Sequence, residues 1–240
     1  MERGGETAKR RNGAGADPSP VRPPAPPPVL RLGLLASHGG SNLGAIVAAC
    51  RERRIDAEPV VVIGNNSDAF ALDRARRAGI PTQHLSSRTH PDPAALDAAI
   101  AEVLARYGVD LVALAGYMKR LGPRVLGRWR GRIINVHPSL LPKFGGQGMY
   151  GARVHEAVLA AGEAYTGVTI HLVTEEYDQG PALAQRRVAV QPGDTVETLT
   201  ERVLREEHAL YVETIGRIAR GEIALPAEGG EVWGDGVRPP

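Results

Sequence analysis

The 240-residue sequence has a single cysteine, Cys50. That excludes a disulfide framework and any zinc or iron–sulfur site built from several cysteines of one chain. No apolar run approaches the roughly 18–20 residues that a membrane span needs. There is no Gly-Lys dipeptide, hence no Walker A loop, and the first strand–helix loop, Ser37–Asn42, is not a G-x-G-x-x-G dinucleotide fingerprint. Lysine is scarce: Lys9, Lys119 and Lys143 are the only three, so arginine carries the positive charge. Net charge is small, +2. It resides in residues 1–28, where Arg3, Lys9, Arg10, Arg11 and Arg22 outnumber Glu2, Glu6 and Asp17. Residues 29–240 carry equal numbers of acids and bases, which argues against a nucleic-acid-binding surface.

What is present suffices for a core, with 42% of residues hydrophobic. Seven prolines between Pro18 and Pro28 make residues 1–28 read as a disordered Pro-rich tail. That tail lacks the apolar region of a secretory signal. Residues 226–240 read as a flexible tail, leaving 29–225 as a single domain. Within it, strand-like apolar runs fall at Leu30–Ala36, Pro59–Ile63, Leu111–Ala115 and Arg132–Val136, with a short one at Thr82–Leu85. Helical stretches lie between them, at 41–54, 68–78 and 93–107. Apolar runs without polar alternation predict a sheet covered on both faces. Farther on, Tyr165–Val173 and Ala182–Val190 flank the turn Asp178-Gln179-Gly180-Pro181 and predict an antiparallel pair. A long helix follows from about Thr195 to Arg217, with Val196, Leu199, Val203, Tyr211 and Ile218 on its apolar face. Asp194 and Glu197 have capping-box spacing. The expected fold is α/β: an open, doubly wound, mostly parallel sheet with an antiparallel C-terminal extension.

Open α/β sheets bind ligands beyond the carboxyl ends of their strands, and unusual residues lie at such ends. Ser37-His38-Gly39-Gly40-Ser41-Asn42 reads either as a phosphate loop at a helix N-terminus or as a plain strand–helix turn capped by Ser41 or Asn42. Gly116-Tyr117-Met118-Lys119-Arg120-Leu121 reads either as a binding loop or as a turn with two solvated bases. In Asn135-Val136-His137-Pro138-Ser139-Leu140-Leu141-Pro142, Asn135 and His137 point to one side of an extended chain. An amide donor beside an imidazole suits an acyl-transfer oxyanion; a capping Asn and a structural His fit the same residues. Asp178 is either a turn residue or the carboxylate that orients His137. Glu207 falls inside the apolar stripe of the long helix, where a carboxylate needs a partner or an edge open to water. His171, in a strand, is expected to be structural. His38, His84, His90, His155 and His208 show no metal-ligand spacing.

Together and in this order, these segments resemble the folate-dependent formyltransferase family, over about Arg31 to Ala224. Asn135–Pro142 is the most specific match, supported by Leu114–Leu121 and Asp178–Pro181. Gly40-Ser41-Asn42 and Glu206-Glu207-His208 resemble the branch that formylates phosphoribosylglycinamide. The resemblance implies attack of the acceptor amine on the formyl carbon of 10-formyltetrahydrofolate, a co-substrate, with no metal. It gives Asn135 and His137 the oxyanion and Asp178 the proton transfer. It gives Gly40, Ser41 and Asn42 the ribose phosphate, and Glu207 the sugar or amine. Met118, Lys119, Arg120, Leu121, Asn135, Thr174 and Asp178 fall to the folate. Two departures stand out: Pro93 where many members carry an Arg, and a long loop, 143–151, whose four glycines predict mobility. The resemblance further implies a cytoplasmic monomer or homodimer acting on small molecules, not on nucleic acid or membrane. Formyl transfer to another amine and hydrolysis of 10-formyltetrahydrofolate are the alternatives.

Overall fold

Uninterrupted apolar runs become the inner strands of one sheet. The computed structural model describes Met1 and residues 29–225; the two expected tails, at 1–28 and 226–240, otherwise lie outside the described residues. Among the described residues there are seven strands: β1 (Leu30–Ala36), β2 (Ala57–Gly64), β3 (Thr82–His84), β4 (Leu111–Leu114), β5 (Ile133–His137), β6 (Tyr165–Leu172) and β7 (Ala182–Ala189). Their spatial order is β3-β2-β1-β4-β5-β6-β7. The first five are parallel, and β6 and β7 are antiparallel. The sheet is therefore open and mostly parallel, with the antiparallel extension at its C-terminal side.

Six helices cover it: α1 (Ser41–Arg51), α2 (Phe70–Arg77), α3 (Pro93–Arg106), α4 (Pro123–Arg128), α5 (Ala152–Ala160) and α6 (Val196–Ala219). Alternate residues of the inner strands feed two cores. Leu32 and Leu34 join Leu43, Ile46, Val203 and Tyr211 of α1 and α6 on one face. Leu35, Val61 and Ile63 join Ile100, Leu104 and Val125 of α3 and α4 on the other. This division is what period-two side-chain alternation dictates for a sheet buried on both sides.

Several boundaries differ from the expectation. Helices α4 and α5 were not anticipated, because six and nine residues are too short to establish a 3.6 period. The cap of α6 is Thr195, which forms a capping box with Thr198. Asp194 is unavailable for that role because Arg202 holds both carboxylate oxygens, at 2.6 and 2.7 Å.

One buried contact ties α6 to the sheet where the functional loops begin. The Tyr211 hydroxyl, fully buried, reaches the carbonyls of Leu114 at the end of β4 (3.2 Å) and Ile134 in β5 (3.1 Å). Tyr211→Phe would leave both carbonyls without that donor in an apolar setting. We expect it to lower the unfolding free energy by about 1–3 kcal/mol, as measured by urea denaturation.

Candidate active site

Strand β5 places Asn135 and His137 two residues apart, hence on one face. The antiparallel pairing sets His171 of β6 directly opposite Asn135. The β6–β7 connection then brings Asp178 to the same place. Asp178 adopts a left-handed backbone, φ 56°, and Gly180 two residues later has no room for a Cβ, which would strike the carbonyl of Leu172. The turn is thus tight, and it aims the carboxylate inward. Asp178 Oδ2 lies 3.4 Å from His137 Nδ1, and Oδ1 lies 3.5 Å from His171 Nε2.

Loop 143–151 is bonded to this pair through its backbone. His137 Nε2 donates to Phe144 O (2.8 Å), and Gly146 N–H donates to Asp178 Oδ2 (2.9 Å). An oxygen at each ring nitrogen of His137 suits the doubly protonated imidazolium. Such a cation beside the Asn135 amide can stabilise negative charge developing on a carbonyl oxygen.

His171, expected to be structural, also stands at this site. It is buried, its Nδ1 lies 2.9 Å from Leu172 O, and its Nε2 lies 3.1 Å from Asn135 Nδ2. Burial in an apolar setting pushes its pKa down, and the charge of nearby His137 adds to that. Nothing in the local sequence marks this, because its partner is 36 residues away and only strand register brings them together.

Asn135, His171, Thr174 and Asp178 line a small cavity of about 80 Å³ with Lys119, Arg120 and Leu121. A cleft of about 590 Å³ adjoins it and shares the same 119–121 segment. Arg120 donates to the carbonyl of Glu175 and lies over the Tyr177 ring, fastening the two walls. Met118 lies at the surface, 41% exposed. Its backbone N–H donates to Ser37 Oγ (2.7 Å), while Ser37 N–H donates to Gly116 O (3.1 Å). One serine therefore joins the loop after β1 to the loop after β4.

On the other side, Gly40 is the N-cap of α1 with φ 66°. A Cβ there would meet Ala71, so only glycine fits against α2. Neither Ser41 nor Asn42 caps the helix through its side chain, contrary to the simpler expectation. Ser41 is exposed. Uncapped N–H groups at a helix start suit an anion. Arg74, which carries no sequence signal, donates to Gly39 O (3.2 Å) and adds positive charge beside the loop. Asn42 is buried and turns to α6, where its Nδ2 donates to Glu207 Oε2 (2.9 Å). Its Oδ1 is buried without a partner. Burial pushes the Glu207 carboxyl up to about 7, although the Asn42 hydrogen bond opposes the shift. Glu207 is therefore an interior residue of the α1–α6 contact, not an edge position open to water.

Known proteins resemble this chain in sequence and fold. Residues 30–215 match the family described as formyl transferase. Over 200 residues the chain is 42% identical to the chloroplastic phosphoribosylglycinamide formyltransferase of Arabidopsis thaliana, covering 83% of this chain and 68% of that one. It is 37% identical to phosphoribosylglycinamide formyltransferase of Escherichia coli (strain K12), covering 88% and 96%. The crystal structure of glycinamide ribonucleotide transformylase 1 from Symbiobacterium toebii superposes with a TM-score of 0.77 at 44% identity, covering 83% and 92%. Against the trifunctional purine biosynthetic protein adenosine-3 of Bos taurus, 41% identical, the chain spans only 20% of that protein's length.

The Glu207 environment predicts a pH dependence of stability. Its native pKa, about 7, lies above the ordinary 4.5, so between these values the native state holds a proton that the unfolded state has released. Stability contributed by this group is complete below about pH 4.5 and is lost as pH rises to about 7. Denaturant titrations across that range should show the decline in the wild type and a flatter profile in Glu207→Gln.

Proposed function

The chain belongs to the formyl transferase family, and from that premise we propose that it transfers the formyl group of 10-formyltetrahydrofolate to the amine of 5-phosphoribosylglycinamide, a step of purine biosynthesis. The observation that carries this reading is that Asn135 and Asp178 line one cavity, with His137 set against the Asp178 carboxylate, and that an uncapped helix start and the Asn42–Glu207 pair lie on the α1–α6 side. The acceptor amine attacks the formyl carbon. Asn135 and His137 stabilise the oxyanion, and Asp178 takes the amine proton and passes it through water to the leaving nitrogen. No bond to the protein forms. The phosphate rests on Gly40, Ser41 and Asn42, and Glu207 meets the sugar or the amine. The folate lies along Met118, Lys119, Arg120, Leu121, Asn135, Thr174 and Asp178. We assign the activity to residues 29–225 as one domain and place it in the cytoplasm, which an unpaired Cys50 fits.

The test mixes purified protein with 10-formyltetrahydrofolate, with and without 5-phosphoribosylglycinamide. Tetrahydrofolate release should require the acceptor. Release that ignores the acceptor would replace transfer by hydrolysis, and transfer only to some other amine would reassign the acceptor site. Asn135→Ala should lower kcat about 10²–10³-fold, the cost of losing one oxyanion donor. His137→Ala and Asp178→Asn should lose at least as much while remaining folded by circular dichroism. Wild-type rates in these variants would refute the assigned trio.

A further inference from the structure

Asn135 can stabilise an oxyanion only if its amide presents N–H, not oxygen, to the reacting group. An unrestrained amide turns over easily, since its two orientations have the same shape. We propose that His171 is a positioning residue for Asn135, fixing that orientation through a neutral imidazole of one defined tautomer. The inference rests on the formyl-transfer reading for its consequence in turnover, but its structural content stands apart from it.

Two contacts fix the tautomer and the amide together. His171 Nδ1 lies 2.9 Å from its neighbour's carbonyl, Leu172 O. A carbonyl accepts only, so Nδ1 carries the proton. In a neutral ring the other nitrogen, Nε2, is then an acceptor. Nε2 lies 3.1 Å from the Asn135 amide, which must therefore turn Nδ2 towards it. One N–H of Asn135 is spent on His171, leaving the second for the cavity that Asn135 lines. A charged His171 would reverse this logic: Nε2–H would call for the amide oxygen, and the oxyanion donor would be lost.

Burial keeps the ring neutral. His171 is 2% exposed, and its burial disfavours the charged ring. The Leu172 carbonyl at Nδ1 and Asp178 Oδ1, at 3.5 Å from Nε2, favour a charge on His171, and burial outweighs them. The other Asp178 oxygen is engaged by Gly146 N–H and faces His137, so the Asp178 charge is already shared. Cross-strand pairing holds the His171 backbone opposite Asn135, and its ring is buried there.

Two measurements on the full chain test this. Nitrogen-15 NMR of histidine-labelled protein at neutral pH should show His171, assigned by the signal lost in His171→Gln, with a protonated Nδ1 and a bare Nε2. A protonated Nε2 would overturn the proposal whether or not the protein transfers formyl groups. The second measurement is kinetic, with 10-formyltetrahydrofolate and 5-phosphoribosylglycinamide. His171→Leu should lower kcat about 10²-fold, as for a misplaced catalytic group, with little change in either KM. His171→Gln keeps an acceptor near the Nε2 position and should restore most of the loss. In an Asn135→Ala background, His171→Leu should cost nothing further, because both changes remove one interaction. Additive losses, or no rescue by Gln in a folded protein, would sink the proposal. Should leucine at 171 prevent folding, the tautomer in the wild-type chain decides alone.

Discussion

Antiparallel entry of β6 beside β5 is the constraint on which the site depends. In a parallel continuation, the strand after β5 would need a crossover before it returned. Here the chain returns after loop 143–151 and α5 to lay β6 antiparallel against β5, with Asn135 opposite His171 and His137 opposite Thr169. Because side chains alternate, a slip of one residue would turn His171 to the other face. The register is pinned beyond backbone pairing. Thr169 Oγ1 donates to Ser139 O and accepts from Leu141 N–H and Gln185 Nε2. The segment following His137 is thus locked to the same strand that supplies His171.

The site is built largely from backbone around a few side chains. His137 and Asp178 each hold a backbone atom of the 144–146 segment, one a carbonyl and one an N–H. Glycines at 145 and 146 let that segment come close: a Cβ on Gly145 would run into Leu141 and approach Asp178. The loop that the sequence marks as glycine-rich is therefore, in this structure, part of the wall around the His137–Asp178 pair. The opposite wall, formed by the 119–121 segment, is fastened by Arg120 on Glu175 and Tyr177.

The central strands were legible because burial on both faces leaves an unbroken apolar run, and β1 was placed to the residue. Asn135, His137 and Asp178 were legible because rare residue types sit at strand ends and turns in a specific motif. What escaped is long-range. His171 looks like any strand histidine until register sets it across from Asn135. The Asn42–Glu207 pair spans 165 residues, so each half suggested something simpler alone: a cap for Asn42, an edge position for Glu207. Short α4 and α5 escaped for lack of periodicity, and the cap of α6 because Arg202 claims Asp194.

Ser37 stands between two loops. Its backbone and side chain stitch the β1 loop to the β4 loop through Gly116 and Met118. The first of these loops is assigned to the acceptor and the second to the donor, so the two recognition surfaces share a mechanical joint. Reshaping residues 37–42 to admit a different acceptor would tug on 116–121 and disturb donor selectivity as well. For laboratory evolution of this scaffold, the two loops form a single design unit, and libraries that vary one while freezing the other work against the fold.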